Sequence, residues 1–139
     1  MNGNGPMYSA LYEHLLVRGY PHDVCRRALR SLPTLVDVLV ERANQEIKWG
    51  PQTHPDGTGP TVPAPDYLAV DTMDDARVIA TQVVEDRVAD GESVTWMDIA
   101  SEEFYEAGAA TGKDLGVELV QNAAVFVAWA TDARTRPND

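Results

Sequence analysis

The stretch Gly50–Pro65, GPQTHPDGTGPTVPAP, contains five prolines and three glycines. Proline fixes φ and has no N–H to donate, so this stretch forms neither a helix interior nor a central strand. It reads as a loop, and it divides the chain into two runs of helical patterning. A loop of this length is more often functional or mobile than merely connective.

Before the loop, Met7–Arg18 carries helical apolar spacing at Met7, Leu11 and Leu15, with Gly19 as a natural stop. Pro21–Leu32 opens on a proline, tolerated in a first turn, and predicts a second short helix. A third is predicted over Pro33–Trp49. After the loop, Asp71 or Thr72 caps a helix with an apolar stripe at Met73, Ala76, Ile79, Ala80 and Val83, ended by Asp90-Gly91. Thr95 is a candidate N-cap with Asp98 three residues on, as in a capping box. That helix is expected to run to about Ala110, where Thr111-Gly112 breaks it. A last one is expected from near Asp114 to about Arg134. Strand alternation, internal repeats and low-complexity tracts are not found. The expected fold class is all-α: a helical bundle over residues 33–139, with residues 1–32 as an N-terminal helical extension.

Charge narrows the partners. Eleven Lys and Arg stand against 22 Asp and Glu, a net of -11. Such a chain lacks the basic face that a nucleic-acid polymer or an anionic membrane surface requires. No apolar run approaches the ~18 residues of a membrane span, and MNGNGPMY does not resemble a signal peptide. The single cysteine, Cys25, excludes an internal disulfide framework. The expectation is a cytoplasmic chain. Residues 1–50 hold six basic against five acidic side chains, whereas residues 51–139 hold five against 17. The acidity therefore belongs to the C-terminal part, as a solvated face or as ligands for a cation.

Position on the helices bears on that choice. With Trp96 set at 0°, Ala100 falls at roughly 40°, Phe104 at about 80° and Ala107 at about 20°. Glu103 lands at about -20°, within that apolar face, and Glu106 at about -80°, beside Ile99. Glu102, near -120°, points to solvent on this arithmetic. The last helix is apolar nearly all round over Val117–Ala130, the mark of a buried helix, and Glu118, Gln121 and Asn122 interrupt it. Glu118 lies within about 20° of Val125 and Trp129 and is therefore directed inward. Two adjacent helices thus offer i, i+3 pairs, Glu103/Glu106 and Glu118/Gln121. A hard cation such as magnesium suits oxygen ligands so placed. The alternatives are an arginine or lysine partner for Glu103, or a wet groove lined by both glutamates.

These residues resemble the MazG-like all-α nucleotide pyrophosphohydrolase superfamily, particularly its small actinobacterial and phage-type members. The superfamily's signature is EExxE on one helix and ExxD on the next. Here Glu102-Glu103-Phe104-Tyr105-Glu106 matches the first half in full, and Glu118-Leu119-Val120-Gln121 keeps the glutamate but has glutamine in place of aspartate. Upstream, Lys48-Trp49-Gly50-Pro51-Gln52-Thr53-His54 is similar to the tryptophan-containing stretch of that family. The likeness covers roughly Val40–Thr131 and leaves the N-terminal segment unmatched. It implies hydrolysis of a nucleoside triphosphate or related nucleotide between the α- and β-phosphates, in a homodimer or homotetramer. It further implies Mg2+, with Mn2+ as an alternative, held by Glu103, Glu106, Glu118 and Gln121. Glu102 and Glu103 would serve as catalytic groups, and Lys48, Trp49, Gln52 and His54 would contact substrate. Glutamine at 121 brings an oxygen but no charge, which implies a second outcome: a catalytically weakened module that binds a nucleotide or a protein. On residue pattern alone, Glu41 and Asn44 read as an exposed stripe, His54 as an exposed loop residue, and Trp96 and Trp129 as core.

Overall fold

The computed structural model describes residues 5–64 and 69–137, and all regular structure among them is helical. Two units emerge, Met1–Val40 and Glu41–Asp139. In the first, α1 (Pro6–Val17) starts on a proline whose missing N–H is no loss at that position. Helix α2 (His22–Ala28) follows, and Tyr12 shares a 2.7 Å hydrogen bond with Nδ1 of His22. Cys25, Leu29, Leu32 and Val38 are buried there. The single helix expected over Pro21–Leu32 instead ends in a 3-10 turn, Leu29–Ser31. Pro33 cannot donate an α-type bond to the Leu29 carbonyl, and the N–H of Leu32 takes that acceptor in the tighter register.

Helix α3 (Leu32–Trp49) runs from the first unit into the second. Within the second unit, α4 (Met73–Ala89) begins where the Thr72 hydroxyl accepts the Asp75 N–H at 3.1 Å, and Asp74 and Asp75 suit the positive end of its dipole. Helix α5 (Trp96–Ala109) opens on a full capping box: Thr95 and Asp98 exchange backbone-to-side-chain bonds of 3.0 Å each. Helix α6 (Gly112–Thr135) starts two residues before the expected Asp114. Gly112 takes φ of +59°, so the residue that reverses the chain also opens the next helix.

Helix α5 packs against both α4 and α6. Alanines line these seams, with Ala76 and Ala80 on α4, Ala100 and Ala107 on α5, and Ala124 and Ala128 on α6, all buried. Small side chains let the helices approach closely. Trp96 is 1% exposed and anchors this core, whereas Phe104, expected on the same face, is 53% exposed. Phe104 lies at the edge of the arc that Trp96, Ala100 and Ala107 define, beyond the reach of either neighbouring helix. Met73, at the start of the expected stripe of α4, is half exposed, with its sulfur lying over Gly108 of α5. The expectation of an all-round buried α6 is also corrected. Its buried side chains, Asn122, Ala124, Val125 and Ala128, form one strip, while Val117, Leu119, Phe126 and Val127 stay exposed. No helix among the described residues is long and apolar enough to cross a membrane.

The Pro/Gly-rich loop is tied down at its centre. The carbonyls of Pro55 and Asp56 accept the N–H groups of Trp96 and Met97 at 2.8 and 3.0 Å, satisfying orphan donors in the first turn of α5. The Asp56 carboxylate accepts two bonds from Arg136, 2.7 and 3.1 Å, and one of 2.8 Å from the Trp129 indole. Asp132 accepts the Trp96 indole at 2.7 Å and the Thr53 hydroxyl at 3.0 Å. Gly57 then passes against Thr95 with φ of +73°, where a Cβ would lie 2.6 Å from the Thr95 hydroxyl. Gly57→Ala is therefore expected to cost about 2–4 kcal/mol, backbone strain and overpacking together. Gly91→Ala, with φ of +71° but open space around it, should cost only about 1–2 kcal/mol. Urea unfolding of the two variants measures the difference, and equal losses would show that the Thr95 contact is not tight.

Candidate functional site

Helices α5 and α6 run side by side, joined by the short turn around Thr111, so an i, i+3 pair on each faces the other. Oxygens of Glu103 and Glu106 on α5 and Glu118 on α6 all lie within 4.8 Å of one another, and the three side chains are half-buried. At that spacing each pair of charges repels by roughly 3–4 kcal/mol at an effective dielectric of about 20. Three such pairs rival the ~5–15 kcal/mol stability of a whole domain. The triad cannot stay fully ionised without compensation.

Among the described residues no ion pair involves any of the three. One oxygen each of Glu103 and Glu118 is buried and lacks a hydrogen-bond partner. The arginine or lysine partner that would have explained Glu103 structurally is not found. Compensation by a proton is visible instead. Burial, then the charges of Glu106, Glu118, Glu102 and Glu41, pushes the Glu103 carboxyl up to about 7. Glu106 is raised by burial and by Glu118, against a smaller opposing pull from Arg77. Glu102 is pushed up to about 6 by burial and by Glu106 and Glu85. This corrects the solvent-facing expectation for Glu102, which is half-buried where α5 borders a cleft.

That cleft, of about 560 Å³, gathers most of the remaining candidates. Glu102, Glu103 and Gln121 line it from α5 and α6, and Lys48, Trp49, Gln52 and His54 line it from the end of α3 and the start of the loop. Val84, Val88, Ile99 and Val125 supply apolar wall. Trp49 is about half exposed, and the Lys48 ammonium lies 4.5 Å from its ring centroid. His54 is not the exposed loop residue expected: it stands edge-on to Trp96 at 4.7 Å, half-buried, with Nε2 unpartnered. Glu106 and Glu118 line a second hollow of about 520 Å³, together with Arg77, Thr111 and Asp114. The triad thus spans the boundary between two hollows. Glu41 and Asn44, expected as a plain exposed stripe, also border the cleft, and Gln45 is buried with its carbonyl oxygen 2.8 Å from Arg42.

Two groups escaped sequence reasoning. Asp56 and Asp132 hold the loop segment that carries Gln52 and His54, and both are kept below the ordinary carboxylate range by the hydrogen bonds they accept, from Arg136 and Trp129 in one case and chiefly from Trp96 in the other. Trp129, expected as plain core, is one of those donors. The turn-forming Pro55-Asp56-Gly57 was the available signal. Asn122, noted in the sequence as a polar interruption of the last helix, is buried at 6% exposure.

The arrangement can accept a proton or a hard cation, and the two compete. The folded state holds a proton on Glu103 more tightly than the unfolded chain does. In metal-free buffer, the Glu103 contribution to stability is therefore greatest below about pH 4.5, falls as the pH rises to about 7 and is flat above. Magnesium should reverse this, raising Tm at about pH 8 and leaving it unchanged at about pH 5. Differential scanning fluorimetry with EDTA or excess magnesium checks both; a magnesium effect independent of pH would sink the competition.

No family model, no curated protein and no solved structure matches this chain, so the meaning of the site rests on its own residues and geometry.

Proposed function

We propose that the chain is a magnesium-dependent nucleoside triphosphate pyrophosphohydrolase of the MazG-like type, yielding a nucleoside monophosphate and pyrophosphate. The observation that carries the reading is the triad Glu103, Glu106 and Glu118, which has no basic partner among the described residues and whose Glu103 lines a cleft shared with Lys48 and Trp49. Those three carboxylates would hold the metal, with the Gln121 carbonyl as a further oxygen. The buried, unpartnered oxygens of Glu103 and Glu118 fit a hard divalent ion, for which oxygen donors are the preferred set. Magnesium, when bound, neutralises polyphosphate charge and lowers the pKa of water.

The chain's own residues supply the rest. Glu102, half-buried in the cleft wall next to Glu103, would take a proton from the attacking water. The water oxygen bonds to phosphorus, the bridging P–O bond breaks, pyrophosphate departs and the proton resides on Glu102. Lys48 meets phosphate and Trp49 offers a face for a base. Gln52 and His54, on the loop held by Asp56 and Asp132, complete the polar wall. The exposed Val117, Leu119 and Phe126 on α6 support assembly as a homodimer or homotetramer.

A second reading has its own observation. Gln121 borders the cleft beside Glu103 where a carboxylate would complete the acidic set, and an amide neither carries charge nor accepts a proton as a base. This supports a nucleotide-binding module with weakened catalysis. A panel of ribo- and deoxyribonucleoside triphosphates with magnesium separates the two. Pyrophosphate release that falls to background in Glu103→Ala, with its fold intact, is expected of the enzyme. Magnesium-dependent binding without release selects the module, and Gln121→Asp should then raise the rate. Neither binding nor release would overturn both readings.

A further inference from the structure

Asn122 is the most deeply buried polar side chain next to the triad, and nothing above accounts for it. It is 6% exposed, and neither its Nδ2 nor its Oδ1 has a hydrogen-bond partner among the described residues. Burying a primary amide unpaired forfeits two donors and an acceptor, so native proteins seldom do it without a reason. Its position supplies one. Asn122 stands four residues after Glu118, one turn along the same face of α6, and about 40° from it in azimuth. Glu118 carries a buried oxygen with no partner, and so does Glu103, whose carboxylate meets that of Glu118. Two half-buried carboxylates, each with one buried open oxygen, and a buried amide therefore share one region of the α5–α6 seam.

The groups are chemically complementary. The carboxylates, once ionised, only accept; the amide both donates and accepts. A buried water needs two to four polar partners, and magnesium retains water in its shell because it dehydrates reluctantly. We propose that Asn122 is a positioning residue of the cation site: its amide holds a water of the hydrated divalent ion that Glu103, Glu106 and Glu118 bind. This rests on the cation reading given above and extends it to a residue outside the EExxE and ExxQ segments. An apolar side chain at 122 would pack as well against the neighbouring alanines, which explains neither the amide nor its isolation.

The test uses the full chain stripped of metal, with Mn2+ as the probe, followed by electron paramagnetic resonance titration and by urea unfolding without metal. Asn122→Leu is expected to unfold at the same or a higher urea concentration than wild type, while its Mn2+ affinity falls about 10–100-fold. Asn122→Asp is expected to bind Mn2+ at least tenfold more tightly than wild type, as a near-isosteric fourth carboxylate within reach of the ion's shell. The aspartate variant decides the matter if the leucine variant does not fold. Wild-type affinity in Asn122→Asp overturns the assignment, as does wild-type affinity in a folded Asn122→Leu. Absence of Mn2+ binding by the wild type itself would instead overturn the cation reading, and this inference with it.

Discussion

Electrostatic self-repulsion inside one helix seam is the constraint from which the rest follows. Glu103, Glu106 and Glu118 are held together by packing that has nothing to do with charge: alanines on α5 and α6 set the helices close, and the turn at Thr111 and Gly112 fixes which faces meet. The backbone thus imposes a proximity that the side chains oppose. A chain selected for stability alone would place leucine or alanine at such positions, as it does one turn after Glu103 at Ala107. Three acids where neutral residues would pack need a proton or a positive charge between them, and the proposed cation supplies the latter.

Much of this was legible in the sequence, because the informative signals are local. The caps at Thr72 and Thr95 act within three residues, and helical spacing alone turns Glu103 and Glu118 toward their neighbours. Legibility failed where the outcome depends on which neighbour exists. The apolar character of Phe104, Leu119 and Phe126 predicted burial, but α5 and α6 touch along one strip and leave the opposite faces bare. Glu102 was turned to solvent by azimuth, yet the cleft bounded by α3 and α4 residues encloses it. Azimuth gives direction and says nothing of what lies along it.

The loop illustrates the other limit. Proline and glycine announce irregular backbone, and they do not say whether it is anchored. Its order comes from side chains far apart in sequence: Asp56 with Trp129 and Arg136, Thr53 and Trp96 with Asp132. No periodicity encodes such pairings. They give His54 a fixed, half-buried place beside Trp96 in a segment whose composition alone describes only a linker.

The double use of Asp56 and Asp132 has a mechanical consequence. Each carboxylate fastens an indole and a second group from a different part of the second unit, so the loop centre, the first turn of α5 and the last turns of α6 behave as a single stiff panel. Lys48 and Trp49, which line the same cleft, have no such fastening among the described residues beyond the ammonium over the indole ring. On the proposed function, adjustment to nucleotides of differing shape would fall to these two side chains, while the wall carried by the fastened loop keeps its contour.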